Sequence, residues 1–371
     1  ACLWTVLIFP LIFLTLTLGY LKIVLAPILP TVSMGLAFIL NYLSETLKTA
    51  VNFISEYDFT QIVIGKVPLT IIAGFYLYIL LLRFWHTNRS LLRKTVSGGL
   101  AAAIVISLII IKYPPCRRNT LELTCLDVGH GQAVTVFYPD GSNMLFDAGS
   151  LTTKNCGAGI VAPFLQSKGV SRLDAVIASH EDIDHINGIP EVITRYRSAN
   201  VYANQAFLKM TEKSSKVRHL NNCLKEFSSN LKPAAELQSR YISFLWPTAQ
   251  ICGDKTISTN NKSLVTMIEY AGRKILLCSD IEILAQTGIF EKYPDLSADI
   301  VLMPHHGSRT NLLENYAGKL NAKAVIISCA KRRLSSAWKS KDQIQAYYTP
   351  IHGAVTININ KDGMIDINTY K

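Results

Sequence analysis

Two histidines and two aspartates fall within one short stretch, His180-Glu181-Asp182-Ile183-Asp184-His185. Imidazole together with carboxylate suits zinc, manganese or iron, whereas carboxylate alone would suit magnesium or calcium. Adjacent side chains diverge, so an H-x-D-x-D-H string packs too many ligands for one ion. It suits two neighbouring ions, one on His180 and Asp182, the other on Asp184 and His185. The bland alternative is a polar turn with incidental histidines. The context favours a site. Ala175-Val176-Ile177-Ala178-Ser179 reads as a buried strand feeding the loop, and a helix can begin at Ile186-Asn187-Gly188-Ile189. A strand end is the rigid support that a metal site needs.

Other polar residues end strands in the same way. Strands are expected over Leu121–Val128, Ala133–Tyr138, Asn143–Asp147, Leu173–Ser179 and Tyr241–Trp246. Leu264–Tyr270 with Lys274–Ser279 forms a hairpin, Asp299–Met303 and Ala324–Ser328 are buried strands, and Ala354–Asn358 with Met364–Ile367 closes the chain. Gly157–Gly169 reads as a helix, and residues 205–240 as a basic helical or loop region. Strands mixed with helices in this order give an α/β layered domain. Asp147, the His180–His185 loop, Asp280 and His305-His306 then all stand at C-terminal strand ends, along one rim where sites are commonly built.

The positioning domain follows a very different segment. The chain has 371 residues, 49% of them hydrophobic, and a formal net charge of +11. Residues 1–112 are nearly all apolar, residues 113–120 make a linker around Pro114-Pro115, and 121–371 have ordinary globular composition. Beginning at Ala1 without methionine, the chain reads as a fragment. Membrane spans are expected at Leu3–Leu21, Leu69–Trp85 and Ser97–Ile111, with Ile23–Leu40 spanning or broken at Pro27 and Pro30. Ser44–Phe59 reads as a separate amphipathic interfacial helix. Arg83, Arg89, Arg93 and Lys94 stand together without an acid, so residues 86–95 are expected in the cytoplasm and the domain after the last span outside it. Lys112, Arg117 and Arg118 oppose that placement. The net charge favours an anionic partner, nucleic acid or lipid head groups. The eight cysteines show no CxxC. Cys125, Cys278 and Cys329 are expected in the core, and Cys156, Cys223 and Cys252 are left open as disulfide candidates.

Taken together, Leu126-Asp127-Val128-Gly129-His130-Gly131, Phe146-Asp147-Ala148-Gly149, the His180–His185 loop, Asn261-Lys262-Ser263-Leu264-Val265, Ser279-Asp280 and Pro304-His305-His306-Gly307-Ser308 resemble, in order and spacing, the metallo-β-lactamase superfamily. The likeness is greatest to the C-terminal domain of the ComEC family of DNA-uptake membrane proteins, and covers about residues 121–330. It implies an αββα sandwich preceded by a bundle of transmembrane helices, part of a larger channel domain in the cell (inner) membrane. It also implies two divalent metal ions, zinc or manganese, and no organic cofactor. One ion would take His180, Asp182 and Asp280, the other Asp184, His185, Asp280 and one of the 305–306 pair. With His305 as that ligand, His306 is the proton donor to a leaving oxygen, while Asp182 or Asp184 helps accept the proton of the attacking water. Asp147 would sit behind the ligands and orient a histidine; a solvated strand-end carboxylate is its alternative.

Three departures stand out. Gln132 replaces a usual Asp, Ser279 replaces a usual Gly, and Cys329-Ala330-Lys331-Arg332-Arg333-Leu334 replaces a usual Asn-x-Tyr-Gly-His-Pro segment. Lys331, Arg332 and Arg333 are candidates for the nucleic-acid backbone, or a solvated basic turn. Lys209, Lys213, Lys216, Arg218 and Lys225 read rather as a solvated face, and His219 as surface. His130, between two glycines, is a candidate for touching a metal-bound water, and His352 reads as structural. The function implied is DNA uptake, in which the membrane part passes one strand and a metal-dependent nuclease degrades the other. DNA, the lipid bilayer and other uptake components are the partners. The alternatives are a membrane-anchored metallohydrolase of another ester, and a channel subunit that binds DNA without cutting it.

Overall fold

The computed structural model describes residues 2–55, 65–84, 90–112, 119–196, 199–339 and 344–371. The chain divides into two compact units, Ala1–Val63 and Ile64–Lys371. The first holds helices α1 (Cys2–Leu25) and α2 (Pro30–Ser55), which pack on each other. The turn between them contains Pro27, and the Ser33 hydroxyl donates to the Lys22 carbonyl across it. Pro30 sits at the start of α2, where its missing N–H costs nothing. The second apolar run is broken at Pro27 and Pro30, as one alternative had it, and its part from Pro30 is continuous with the amphipathic segment, expected as a separate piece, in one helix through Ser55. No glycine or proline falls between Leu40 and Ser44, so nothing interrupts the backbone ladder; residues 56–59 of the expected segment lie outside the described residues.

The second unit opens with α3 (Leu69–Phe84) and α4 (Ser90–Lys112). Among the described residues only Ile8–Leu25 is long and apolar enough to cross a membrane; Leu69–Phe84 and Lys94–Ile110 are apolar but shorter. Trp85, His86, Arg89 and the linker up to Arg118 lie outside the described residues.

The remainder of the second unit is four layers deep. One sheet has eight strands in the order β14-β13-β1-β2-β3-β4-β5-β6 and the other six, β12-β11-β10-β9-β8-β7. The first is built from β1 (Thr120–Cys125), β2 (Ala133–Phe137), β3 (Asn143–Ala148), β4 (Ala175–Ala178), β5 (Asn200–Ala203), β6 (Leu231–Pro233), β13 (Ala354–Asn360) and β14 (Ile365–Tyr370). The second comprises β7 (Ile242–Trp246), β8 (Val265–Tyr270), β9 (Arg273–Leu277), β10 (Ile300–Leu302), β11 (Ala324–Ile327) and β12 (Gln345–Tyr348). Each sheet changes character half way. β2 and β3 pair antiparallel, then β4, β5 and β6 add in parallel; β8 and β9 pair antiparallel, then β10, β11 and β12 add in parallel.

Parallel strands covered on both faces need apolar side chains on both, and period-two alternation sorts them into three cores. Ala175, Ile177, Ile300, Leu302, Ala324 and Ile326 fill the space between the sheets. Val176 and Ala178 point outward, onto α5 (Ala162–Ser167), α7 (Ile189–Arg195) and α9 (Ser215–Glu226). Val301, Val325 and Ile327 point the other way, onto α11 (Ile283–Lys292) and α12 (Tyr316–Lys319). Short helices α6 (Ile183–Ile186), α8 (Gln205–Leu208), α10 (Ala249–Gly253) and α13 (Thr349–His352) complete the order. This is the helix–sheet–sheet–helix sandwich that the resemblance implied. Cys125, Cys278 and Cys329 are buried as expected, and Cys156, Cys223 and Cys252, the disulfide candidates, are all free.

Candidate metal centre

Both parallel halves deliver their polar residues to the same end. Asp147 closes β3 and the His180–His185 loop follows β4; Asp280 follows β9 and the histidine pair follows β10. Close backbone approach makes this possible. A Cβ on Gly149 would stand 2.3 Å from the Asp184 carbonyl carbon and the His185 nitrogen, so only glycine lets β3 pass under the loop. Gly131 is equally confined, since a Cβ there would stand 2.1 Å from the Gly149 carbonyl oxygen, and the Gln132 N–H beside it donates to the Asp184 carbonyl. The two glycine-bearing motifs are thus the seat of the acid-rich loop.

Asp184, His185, Asp280 and His306 each turn one ligand atom into a space where all lie within 4.8 Å of one another, and all four are buried. His185 is the centrepiece. Its Nδ1 lies 2.8 Å from Asp147 Oδ2 and its Nε2 3.0 Å from Asp280 Oδ1. Burial opposes a charge there, but the Asp280 and Asp147 carboxylates outweigh it and hold the imidazole well above its ordinary value. Asp147 accepts from the Ser179 N–H at 2.8 Å, the Ser179 hydroxyl at 2.8 Å and the Gln132 amide at 2.9 Å. Gln132 therefore stands behind the cluster as a donor to Asp147. A carboxylate in its place would face another carboxylate.

His180 packs its ring 4.2 Å from that of His185, and its Nε2 lies 3.5 Å from Asp182. Asp182 is half-exposed and lies 3.6 Å from the Lys216 ammonium. Asp184 lies 3.3 Å from His306 Nε2; burial raises its carboxyl, yet the close His306 and His185 imidazoles bring it down to about 2. Asp280 is likewise held well below the carboxylate range by His185 and His306, against its burial.

Of the histidine pair it is His306 that joins the cluster. His305 and His306 both have left-handed backbones, φ 49° and 54°, after Pro304, and this kink sends their rings apart, 6.5 Å between centroids. His306 Nδ1 lies 2.9 Å from the Ser328 carbonyl, which can only accept, so Nδ1 carries the proton and Nε2 is left facing Asp184 and Asp280. The His305 ring, by contrast, meets the Asn311 amide at 2.9 Å and lies 3.9 Å from Glu282. The cluster contains His306, and His305 stands outside it.

Donor chemistry tests whether cations fit here. His180 Nε2, His185 Nε2, His306 Nε2 and Asp280 Oδ1 are buried without a hydrogen-bond partner. With Nδ1 of His185 and His306 bonded to their outer partners, each Nε2 faces a carboxylate that only a second proton or a cation can bridge. Buried acceptors facing acceptors are costly unless a cation lies between them; the residues fit divalent metal.

Around this centre several sequence expectations meet their places. Ser279, where glycine is usual, adopts φ 50° and donates to the Ser179 hydroxyl at 2.6 Å, which explains both the glycine preference and its tolerance of serine. Asn261 caps the turn after Asp280: its side-chain oxygen accepts from the Glu282 and Ala285 N–H groups. Lys331, Arg332 and Arg333 form an exposed turn after β11, and Arg333 is near enough to His130 to help depress it. His130, half-buried with its ring 4.8 Å from His306, is held down to about 4, chiefly by burial. His219 is on the exposed face of α9. His352 is structural, its Nδ1 accepting from the Tyr348 N–H. Ser179 and Ser328 were not singled out in advance; only their positions at strand ends beside ligand motifs could have flagged them.

A sequence profile of the metallo-beta-lactamase superfamily matches residues 128–216. Among curated proteins the chain is similar to ComE operon protein 3 of Bacillus subtilis (strain 168), 27% identical over 75% of this chain and 37% of that protein. It is also similar to the uncharacterized protein YcaI of Escherichia coli (strain K12), 26% identical over 76% of this chain and 35% of that one. Competence protein ComA of Neisseria gonorrhoeae is 24% identical over 71% of this chain and 35% of its own length. The chain spans about a third of the length of these relatives. They bear out the resemblance to the ComEC family, and with the profile and the topology they show a mixed α/β, metallo-β-lactamase-like fold. That fold and the buried His/Asp cluster support divalent metal binding and hydrolase chemistry.

Proposed function

We propose that this chain is part of a multi-pass DNA-uptake membrane protein, and that its sandwich domain is a dinuclear metal-dependent phosphodiesterase that degrades the strand not taken up. The convergence of Asp184, His185, Asp280 and His306 within 4.8 Å carries the reading. The similarity to a competence protein and the net charge of +11 favour nucleic acid as the substrate. His180, Asp182 and Asp280 would hold one ion; Asp184, His185, Asp280 and His306 the other, with Asp280 shared. Bound divalent ions supply a water of lowered pKa and charge neutralisation at a phosphoryl group.

The chain's own residues do the rest. Asp147 and the Ser328 carbonyl fix the tautomers of His185 and His306, so neither ring must reorient during turnover. Lys216 offsets the charge of half-exposed Asp182. Lys331, Arg332 and Arg333 offer exposed cations to a phosphate backbone. The run of Arg83, Arg89, Arg93 and Lys94 supports a cytoplasmic connection and a sandwich domain on the extracytoplasmic side. The test is degradation of labelled DNA by the full chain in detergent with zinc, manganese and magnesium compared, alongside Asp280→Asn. Metal-dependent cleavage abolished in the variant is expected. Bound metal without cleavage of any nucleic acid would replace the reading by hydrolysis of another ester or by DNA binding alone.

A further inference from the structure

Beside the centre, on the His180 side, lies a groove of about 200 Å³. That is room for about seven waters at ~30 Å³ each, enough for a backbone phosphate or one sugar and too little for paired strands. Its rim carries Lys209 and Lys213 on one wall and Lys255 and Lys262 on the other; its floor includes Phe207 and Met210. Glu181 and Asp254 also line it, which leaves a net positive rim. Among the described residues none of the four lysines has an ion-pair partner within the chain, whereas Lys216, one turn further along, reaches Asp182.

The groove is built in. Buried Asn204 sits at its base, where its side-chain oxygen accepts from the Phe207 N–H at 2.9 Å and caps α8. Its amide donates to the Lys262 carbonyl at 2.8 Å and the Ser179 carbonyl at 3.3 Å. One side chain thus ties both walls to the strand end that carries His180. The basic group expected as a solvated face is exposed, and two of its members, Lys209 and Lys213, also line this groove.

We propose that this groove seats the backbone phosphate next to the scissile one, gripping one phosphodiester strand by its backbone. The inference rests on the phosphodiesterase reading for its orientation, and its charge chemistry can be tested apart from it. Lysine ammonium groups are point charges that neutralise phosphates without reading bases, so the grip is independent of sequence.

The experiment uses the metal-loaded full chain and a fluorescent single-stranded phosphorothioate oligonucleotide, which keeps the backbone charge and resists hydrolysis, in DNA, RNA and duplex arms. For the Lys209→Gln, Lys213→Gln, Lys255→Gln, Lys262→Gln variant, single-strand affinity should fall at least about tenfold near 0.1 M salt. The slope of log affinity against log salt should shrink by about 2 to 3, since each phosphate contact contributes ~0.7. The corresponding quadruple Lys→Arg variant should restore both. Unchanged affinity and slope in the Gln variant, with its melting temperature intact, would overturn the groove. Equal lysine dependence in the duplex arm would overturn the single-strand assignment. The DNA and RNA arms separate the two sources of the same backbone chemistry. Cleavage of ordinary DNA by the wild type is scored separately: cleavage with no lysine dependence sinks the groove alone, and lysine-dependent binding without cleavage sinks the phosphodiesterase alone.

Discussion

Asp147→Asn isolates the claim that one buried carboxylate sets the metal-facing nitrogen of His185. The wild-type carboxylate accepts from the Ser179 N–H, the Ser179 hydroxyl, the Gln132 amide and His185 Nδ1, all between 2.8 and 2.9 Å. Asparagine keeps one acceptor oxygen, which can stay on the Ser179 N–H. The new NH2 group then faces the Gln132 amide and His185 Nδ1–H, two donors, while the Ser179 hydroxyl can rotate to accept. Two hydrogen bonds to a charged acceptor are lost, each contributing ~1.5–3 kcal/mol, so a stability loss of about 3 kcal/mol or more is expected. The functional consequence is more diagnostic. His185 relieves its clash by moving the proton to Nε2, 3.0 Å from Asp280. The nitrogen meant for a cation becomes a donor, and a metal must displace that proton to bind. Loss of such an orienting partner typically costs 10- to 100-fold in metal affinity. Titration of the purified full chain with zinc or manganese against a chromophoric chelator reads this directly, with the melting temperature recorded in parallel. If the variant melts earlier yet binds metal within about twofold of wild type, Asp147 is only structural and the orienting argument is refuted.

Other substitutions probe other links. His306→Ala should lose bound metal in elemental analysis and reduce metal-dependent turnover at least about 100-fold, whereas His305→Ala, which gives up its Asn311 and Glu282 contacts, should keep its metal and lose about 1 kcal/mol of stability; the reverse pattern would restore the ligand set expected from sequence. Gly149→Ala drives a methyl to 2.3 Å from the metal-loop backbone, so a loss above ~3 kcal/mol or failure to bind metal is expected, read by denaturant unfolding with and without metal. Far from the site, burial would raise the Asp299 carboxyl, but the Lys323 ammonium, the Lys274 N–H and Arg273 hold it below its ordinary value. A depressed folded-state value means stability that is present above the unfolded value, about 3.8, and lost as pH falls through the folded one. Asp299→Asn should therefore cost ~1.5–3 kcal/mol at neutral pH, and the gap to wild type should narrow only below about pH 4 in unfolding curves.

Most of the site was legible because it sits where residue type and strand pattern coincide. Asp147, His180 and Asp280 stand at or within three residues of the end of an apolar strand, and Asp184 and His185 follow on the short loop that His180 opens. The choice between His305 and His306 was not legible. Adjacent side chains at a left-handed kink diverge, and which one turns inward depends on Ser328, 22 residues later in the chain. The strands β5, β6 and β12 were missed for a related reason. Leu231–Pro233 is only three residues long, Asn200–Ala203 only four, and β6 and β12 are outermost in their sheets. They form because a parallel neighbour offers its free edge, which no local pattern records. The continuous α2 was misread in the opposite sense: a change from apolar to amphipathic composition marks a change of surroundings, and does not by itself end a helix.

The matched topology of the two sheets explains why the site holds carboxylates in two different roles. In each half an antiparallel hairpin leads into parallel strands, and the hairpin's second strand ends in a left-handed residue beside a buried carboxylate: Asp147 itself at φ 57°, and Ser279 at φ 50° just before Asp280. The next strand in each half delivers histidine, His180 from β4 and His306 from β10. One carboxylate, Asp280, faces the shared space; its counterpart, Asp147, is turned onto the rear nitrogen of His185 and fixes the front one. The strand after that closes each half with a hydrogen-bonding residue, Asn204 after β5 and Ser328 after β11, and each is bonded back to the centre or its strand. The candidate ligands are therefore split between two sheets whose inner faces share one apolar core. A change in the spacing between the sheets would move Asp280 and His306 together against His185 and Asp184, so packing between the sheets, as much as any ligand, sets the geometry that a pair of cations would meet.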